Sequence, residues 1–258
     1  MRLDEYLTKN SYFKSRNKAK ESIERGEVYL SGKPILKPSF NMDLISETPE
    51  IIKKASEFVS VGGFKLEKSL NDFAFGVKDL ICADFGSSTG GFTDCLLQNG
   101  AKKVYAIDLN DSLLDEKLKK DERVFPVIKN AREITKTDFN EDLDFICADL
   151  SFISSSYVLS VFRELISDGK SVILLIKPQF ELNERIRLKN GIVSDEKLRL
   201  NVLKNVYANA IENCLYPQKI TTAPIKKGKN TEYLILLKKN VNLNLSFDDL
   251  LKNLRQYS

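Results

Sequence analysis

Histidine is absent from the 258 residues. That single lack excludes Ser-His-Asp and Cys-His catalysis and any His-ligated metal, and passes proton transfer to Lys, Asp, Glu, Tyr or Cys. The sequence also lacks a signal peptide, and no apolar run nears the roughly 20 residues that cross a bilayer. The four cysteines, Cys82, Cys95, Cys147 and Cys214, show no CxxC spacing and sit in apolar stretches. They read as buried free thiols of a cytoplasmic protein rather than as disulfides or a metal site. Repeats and low-complexity tracts are missing too. With 42% hydrophobic and 29% charged residues, the composition is that of a folded globular chain.

The net charge of +4 is unevenly spread. Residues 1–40 hold nine Lys or Arg against five acids, so the whole excess lies in the first sixth of the chain. A local positive field attracts a polyanion, most commonly a phosphate backbone, although Lys-rich helices can also be merely solvated. RLDEYLT places Leu3, Tyr6 and Leu7 at helical spacing, SRNKAKESIERG reads as a Ser15-capped helix stopped by Gly26, and EVYLSGKPIL as a hairpin. Arg2, Lys14, Arg16, Lys18 and Lys33 are the candidate RNA contacts on this compact module. Residues from about 41 to 60 read as a polar linker, after which Gly62-Gly63 opens a helical stretch.

Beyond residue 76, strand-length apolar runs alternate with helical ones, including DSLLDEKLKK and the 154–166 and 194–214 segments. The pattern predicts an α/β fold, a mostly parallel, Rossmann-like sheet with helices on both faces. The first strand ends in Asp84-Phe85-Gly86-Ser87-Ser88-Thr89-Gly90-Gly91-Phe92, where small residues let the backbone approach a ligand. Its G-x-x-x-G-G order disfavours the pyrophosphate cradle of G-x-G-x-x-G. Asp108 closes the second strand and can accept both hydroxyls of an adenosine ribose, or can cap a helix. Asn130, after the third strand, could lie near an adenine or simply shape a turn. An acid before the glycine turn and another after the next strand suit S-adenosylmethionine, with its cationic aminoacyl arm and free ribose hydroxyls.

Asp149 follows the fourth strand in Ala148-Asp149-Leu150-Ser151-Phe152. The Asn/Asp-Pro-Pro-aromatic segment of amino methyltransferases is not here, and no cysteine follows a proline as in base-carbon methyltransferases. An oxygen acceptor, or an unusual nitrogen one, remains. Lys177 ends VILLIK before Pro178, either snorkelling to the surface or poised in a cleft where desolvation would bring its pKa towards neutrality. Lys65, ahead of the first strand, and Glu232, at the start of the last, can converge on the same place. Two lysines and two acids together would be neutral, and the acids could hold one lysine charged while the other stays ready for a proton.

These segments carry a family resemblance over essentially the whole chain. RLDEYL with SRNKAKESIERGEVYLSGK resembles the S4-type RNA-binding domain. VSVGGFKLEKSL, DFGSSTGGFTDCLLQNGAKKVYAIDL, ADLSFIS, IKPQFE and GIVSDEKLR resemble blocks of the TlyA-type, or haemolysin A, ribosomal RNA methyltransferases. The resemblance implies an S4-like domain over 1–55, a linker over 56–63 and an FtsJ-like methyltransferase domain over 64–258. It also implies S-adenosylmethionine as cofactor, without a metal or a membrane. The FtsJ-like Lys-Asp-Lys-Glu tetrad maps to Lys65, Asp149, Lys177 and Glu232. Asp84, Gly86, Ser87, Ser88, Gly90, Gly91, Phe92, Asp108, Asn130 and Asp149 are the expected cofactor residues. The implied reaction is methylation of a cytidine ribose 2′-hydroxyl in ribosomal subunits. Short ends resemble the subgroup acting on 23S rRNA alone, with 16S rRNA as a further substrate of the family. Two segments depart from the family pattern. Ser60-Val61-Gly62-Gly63 lacks its arginine, and Ser56-Glu57-Phe58-Val59 replaces Arg-x-Trp-Val. Rival readings are methylation of a small metabolite, a nicotinamide dehydrogenase, a non-catalytic ribosome-binding factor and a membrane-active haemolysin.

Overall fold

The computed structural model describes residues 1–13, 15–24, 26–43, 45, 47–51, 58–182, 188–224, 228–240 and 245–256. It divides into two compact units, Met1–Glu57 and Phe58–Ser258. Among the described residues no helix is long and apolar enough to cross a membrane.

In the first unit, helices α1 (Leu3–Lys9) and α2 (Arg16–Glu24) precede strands β1 (Val28–Leu30), β2 (Lys33–Pro34) and β3 (Glu50–Ile51). The strands form an antiparallel sheet in the order β2-β1-β3. Four-residue spacing places Leu3 over Leu7 on α1 and Ala19 over Ile23 on α2, and all four are fully buried against Val28, Leu30 and Met42. The Ser15 hydroxyl accepts the Lys18 N–H at 3.3 Å as the N-cap of α2.

The second unit runs α3 (Gly62–Phe73), β4 (Ile81–Phe85), α4 (Gly91–Gln98), β5 (Lys103–Asp108), α5 (Glu116–Lys119), β6 (Val124–Ile128) and β7 (Leu143–Ala148). It continues with α6 (Ser156–Leu165), β8 (Ile166–Ile176), α7 (Pro178–Glu181), α8 (Glu196–Glu212), β9 (Leu215–Thr222), β10 (Tyr233–Lys239) and α9 (Phe247–Gln256). The seven strands lie in the order β6-β5-β4-β7-β8-β10-β9, parallel from β6 to β8, with β10 antiparallel to both its neighbours. Successive residues alternate between two cores. Ala83, Phe85, Tyr105, Ile107, Ile146 and Ala148 join one with α6 and α8, while Cys82, Val104, Ala106, Phe145 and Cys147 join the other with α3 and α4. Both faces are dry, so the strands are continuously apolar rather than alternating with polar residues.

Phe58 and Phe64 meet edge to face at 5.1 Å, and the Val59 N–H donates to Asp94 Oδ2 at 2.7 Å. Residues 58–63, read from sequence as linker, therefore pack within the second unit. The expected single helix over DSLLDEKLKK is broken. A 3-10 turn, Asp111–Leu113, ends at Leu114, and the Asp115 carboxylate then accepts the Lys117 N–H as the N-cap of α5. A capping aspartate competes with a continuous helix. The break turns Leu114 and Leu118 inward beneath Gly90.

Candidate active site and RNA surface

Strand register assembles the four charged residues. Ile176 of β8 pairs with Tyr233 of β10, so Lys177, one step beyond, and Glu232, one step before, reach the same edge of the sheet. Because β10 runs antiparallel, its first residue lies where the parallel strands finish. Ala148 pairs with Leu174 on the other side of β8, which brings Asp149 to that edge as well. Lys65 arrives on the first turn of α3. Its Nζ lies 2.7 Å from Glu232 Oε2 and 3.8 Å from Asp149 Oδ2, and Lys177 Nζ lies 2.5 Å from Asp149 Oδ1. Lys177 Nζ also donates to Ser151 Oγ at 2.8 Å. The Lys177 side chain is only 10% exposed, so the sequence alternative of a snorkelling surface lysine does not hold.

Burial opposes the charge on Lys65, but Asp149 and Glu232 outweigh it and hold its pKa above the ordinary lysine value. Lys65 is thus the lysine that the two acids keep as an ammonium.

A cavity of about 460 Å³ adjoins this cluster, lined by Gly86, Ser88, Asp108, Asn130, Asp149 and Ser151 among others. Its size is in the range of small-molecule sites, and it sits beyond the carboxyl ends of the strands, where open α/β sheets bind ligands. Gly86 has φ +81°, and a Cβ there would come 2.7 Å from the Asp149 carbonyl oxygen. Gly90 has φ +91°, and a Cβ there would come 2.1 Å from Leu118 Cδ1. The first glycine keeps the turn against Asp149, and the second lets the loop close over α5. Asp108 accepts the Ser88 N–H at 2.8 Å on Oδ2 and the Leu109 N–H at 2.7 Å on Oδ1. Each oxygen retains a lone pair, so capping and ribose binding are compatible. Asn130 accepts the Arg132 N–H at 3.1 Å and shapes its turn while lining the cavity.

The expected cofactor residues divide. Gly86, Ser88, Asp108, Asn130 and Asp149 line this cavity, whereas Asp84, Ser87, Gly90, Gly91 and Phe92 are buried and do not. Asp84 lies wholly buried beneath α4, where Thr93 Oγ1 donates to its Oδ2 at 2.7 Å. Burial pushes its pKa up to about 7, against the lowering effect of the Thr93 bond and with some help from Asp149 and Asp108. Sequence reasoning missed Ser151 as the second partner of Lys177, although ADLSF contained it. Phe152 was also passed over. It is 90% exposed, has φ +63° and packs on Phe180 at 5.0 Å. An aromatic residue in a site motif was the available signal.

On the first unit, Arg2 and Arg16 converge on one acid. Arg2 Nε donates to Asp4 Oδ1 at 3.0 Å and its Nη2 to Oδ2 at 3.1 Å, while Arg16 Nε donates to Oδ2 at 3.0 Å. Asp4 is 3% exposed. Burial works against its charge, yet the two guanidiniums hold its pKa below the usual carboxylate value. Both arginine side chains stay about half exposed, and Lys18 and Lys33 are exposed. Lys14 lies outside the described residues.

The FtsJ-like methyltransferase profile matches residues 58–240, and the S4 domain profile matches residues 1–43. A 16S/23S rRNA (cytidine-2′-O)-methyltransferase TlyA from Mycobacterium tuberculosis is 32% identical, over 95% of this chain and 92% of the relative. This chain belongs to the TlyA group of FtsJ-like methyltransferases. Another TlyA relative, the 23S rRNA (cytidine-2′-O)-methyltransferase of Campylobacter jejuni, is 32% identical over 93% of this chain and 100% of its own length. A solved Streptococcus thermophilus structure that carries the hemolysin label superposes with a TM-score of 0.77 at 35% identity, covering 99% of this chain and 94% of that one. The TlyA family assignment thus spans both units, and methyltransferase membership implies use of S-adenosylmethionine.

Proposed function

We propose that this chain methylates the ribose 2′-hydroxyl of a cytidine in 23S rRNA, working on ribosomal subunits in the cytoplasm. The observation that carries this reading is the meeting of Lys65, Asp149, Lys177 and Glu232 beside a cavity of cofactor size. The TlyA relatives from both organisms carry 23S rRNA in their names, and the M. tuberculosis relative carries 16S rRNA as well. Either RNA is within the chemistry of the site, and mapping decides between them.

The cavity fits the cofactor. Asp108 would receive the ribose hydroxyls on its remaining lone pairs, Asn130 would lie by the base, and the Gly86–Ser88 turn would admit the ligand close to the backbone. When bound, S-adenosylmethionine supplies a methyl group on a sulfonium leaving group. The task left to the protein is to orient the acceptor oxygen and manage one proton. Lys177, in its neutral form, takes the proton of the 2′-hydroxyl: the O–H bond breaks, a new N–H bond forms on Nζ, and an oxygen electron pair is freed for the methyl carbon. Asp149 then faces the resulting ammonium at the distance of an ion pair. Lys65, held charged between Asp149 and Glu232, steadies negative charge as it develops on the oxygen. The exposed arginines and lysines of the first unit supply phosphate contacts that carry no base information.

The test is direct. Purified ribosomal subunits, incubated with the protein and labelled S-adenosylmethionine, should acquire a 2′-O-methylcytidine that blocks primer extension at low nucleotide concentration. Label found on a base, or no label in either subunit, would overturn the proposal.

A further inference from the structure

Lys177 is held by two oxygens, and only one of them belongs to the tetrad. Nζ lies 2.5 Å from Asp149 Oδ1 and 2.8 Å from Ser151 Oγ. A neutral lysine amine has two N–H bonds and one lone pair in tetrahedral array. The Ser151 hydroxyl takes one of these N–H bonds in a hydrogen bond, whereas the contact with Asp149 is an ion pair in which Oδ1 accepts no hydrogen bond among the described residues, so Ser151 is the contact that gives the amine a direction. Without that hydrogen bond the amine could rotate about its Cε–Nζ bond and spread its lone pair over a cone. Asp149 and Ser151 both line the large cavity, so the amine is steered from the cavity wall.

The segment bearing Ser151 is fixed on both sides. The Asp149 N–H donates to the Phe85 carbonyl at 2.9 Å, which anchors the segment to β4. Further along, Ser154 Oγ donates to Glu181 Oε2 at 2.7 Å and the Ser155 N–H to Glu181 Oε1 at 2.9 Å. Between these anchors Phe152 takes a left-handed backbone at φ +63° and lays its ring on Phe180. A non-glycine residue in that region is strained and persists where its surroundings impose it. Residues 151–155 and 177–181 are therefore joined by four contacts, of which the Ser151–Lys177 bond is the nearest to the charged cluster.

We propose that Ser151 is a positioning residue for methyl transfer, holding one N–H of Lys177 so that its lone pair faces the ribose hydroxyl. This rests on the assignment of Lys177 as the proton acceptor.

Three variants test it. Ser151→Ala should lower kcat by about 10- to 100-fold, the range expected for losing one hydrogen bond to a group that becomes charged. The KM for ribosomal subunits and the calorimetric affinity for S-adenosylmethionine should stay within about twofold. Ser151→Thr keeps the hydroxyl and should recover kcat to within a fewfold of the parent. Adding Ser151→Ala to Lys177→Ala should cost nothing further, because the group being positioned is gone. An unchanged kcat in Ser151→Ala overturns the proposal, as does a loss confined to KM or cofactor affinity, or failure of the threonine variant to recover. Full activity in Lys177→Ala alone would instead overturn the proton-acceptor assignment, while a dead Lys177→Ala beside a fully active Ser151→Ala removes only the role of Ser151.

Discussion

Both units place cations on carboxylates, but to opposite ends. In the first, two arginines share the nearly buried Asp4 and keep about half of each side chain in solvent. The carboxylate there orders the guanidiniums without neutralising them, and the cluster keeps a positive charge that acts at a distance. In the second, two lysines and two acids balance and every side chain is about four-fifths or more withdrawn from water, Lys177 at 10% exposed and the other three at 20–21%. Long-range attraction is small for such a neutral group, and its effect depends on where individual protons and lone pairs sit. Under the proposed function, the same pairing of charges would serve affinity where it is exposed and chemistry where it is enclosed, because solvent screening falls with burial.

The contrast breaks most sharply at Lys177. Lys177→Ala should reduce methylation by roughly a thousandfold, within the span usual for loss of a general base, while calorimetry shows S-adenosylmethionine affinity little altered and high salt fails to change the deficit. A salt-dependent deficit would mean that the enclosed cluster acts as the exposed one does. A smaller effect is expected at the other pole. Arg16→Gln with Lys18→Gln leaves Arg2 on Asp4, and should weaken RNA binding roughly tenfold at moderate salt. The slope of log affinity against log salt should fall by about one per lost phosphate contact. An unchanged slope, read by filter binding over a salt series, would make these residues solvated bystanders.

The last effect concerns stability rather than activity and isolates burial from pairing. Folded Asp84 keeps its proton to about pH 7, against 3.8 for an ordinary aspartate. Its contribution is fully present below about pH 4 and is lost as pH rises through 7, by at most about 4 kcal/mol. Asp84→Asn should flatten this decline, so that denaturant unfolding of parent and variant diverges between about pH 4 and 7 and runs parallel above it. Identical slopes across that range would show that Asp84 is not held protonated.

Much of the site was legible because it is written at strand ends. VILLIK followed by Pro178, ADLSF after an apolar run and Glu232 before EYLILLKK each mark a strand terminus, and in a parallel sheet such termini share an edge. The glycines before α4 were equally plain, since only small residues tolerate such a turn. Asp84 misled because its neighbours in sequence are loop residues while its side chain points under α4 to Thr93. The break at Leu114 was hidden for a related reason: Asp115 is acceptable within a helix, and the packing of Leu118 beneath Gly90 decides that it caps one.

By itself the sequence determined the alternation of strands and helices, the basic bias of its first forty residues and the kinds of group available for proton transfer, since periodicity, charge and the lack of histidine are local or additive properties. Tertiary structure alone decided which lysine is held charged, that Ser151 shares Lys177 with Asp149, and that one buried aspartate gathers two arginines. These are matters of a few ångströms between residues up to 167 positions apart, as with Lys65 and Glu232, and such distances are set by strand register and packing rather than by any stretch of chain.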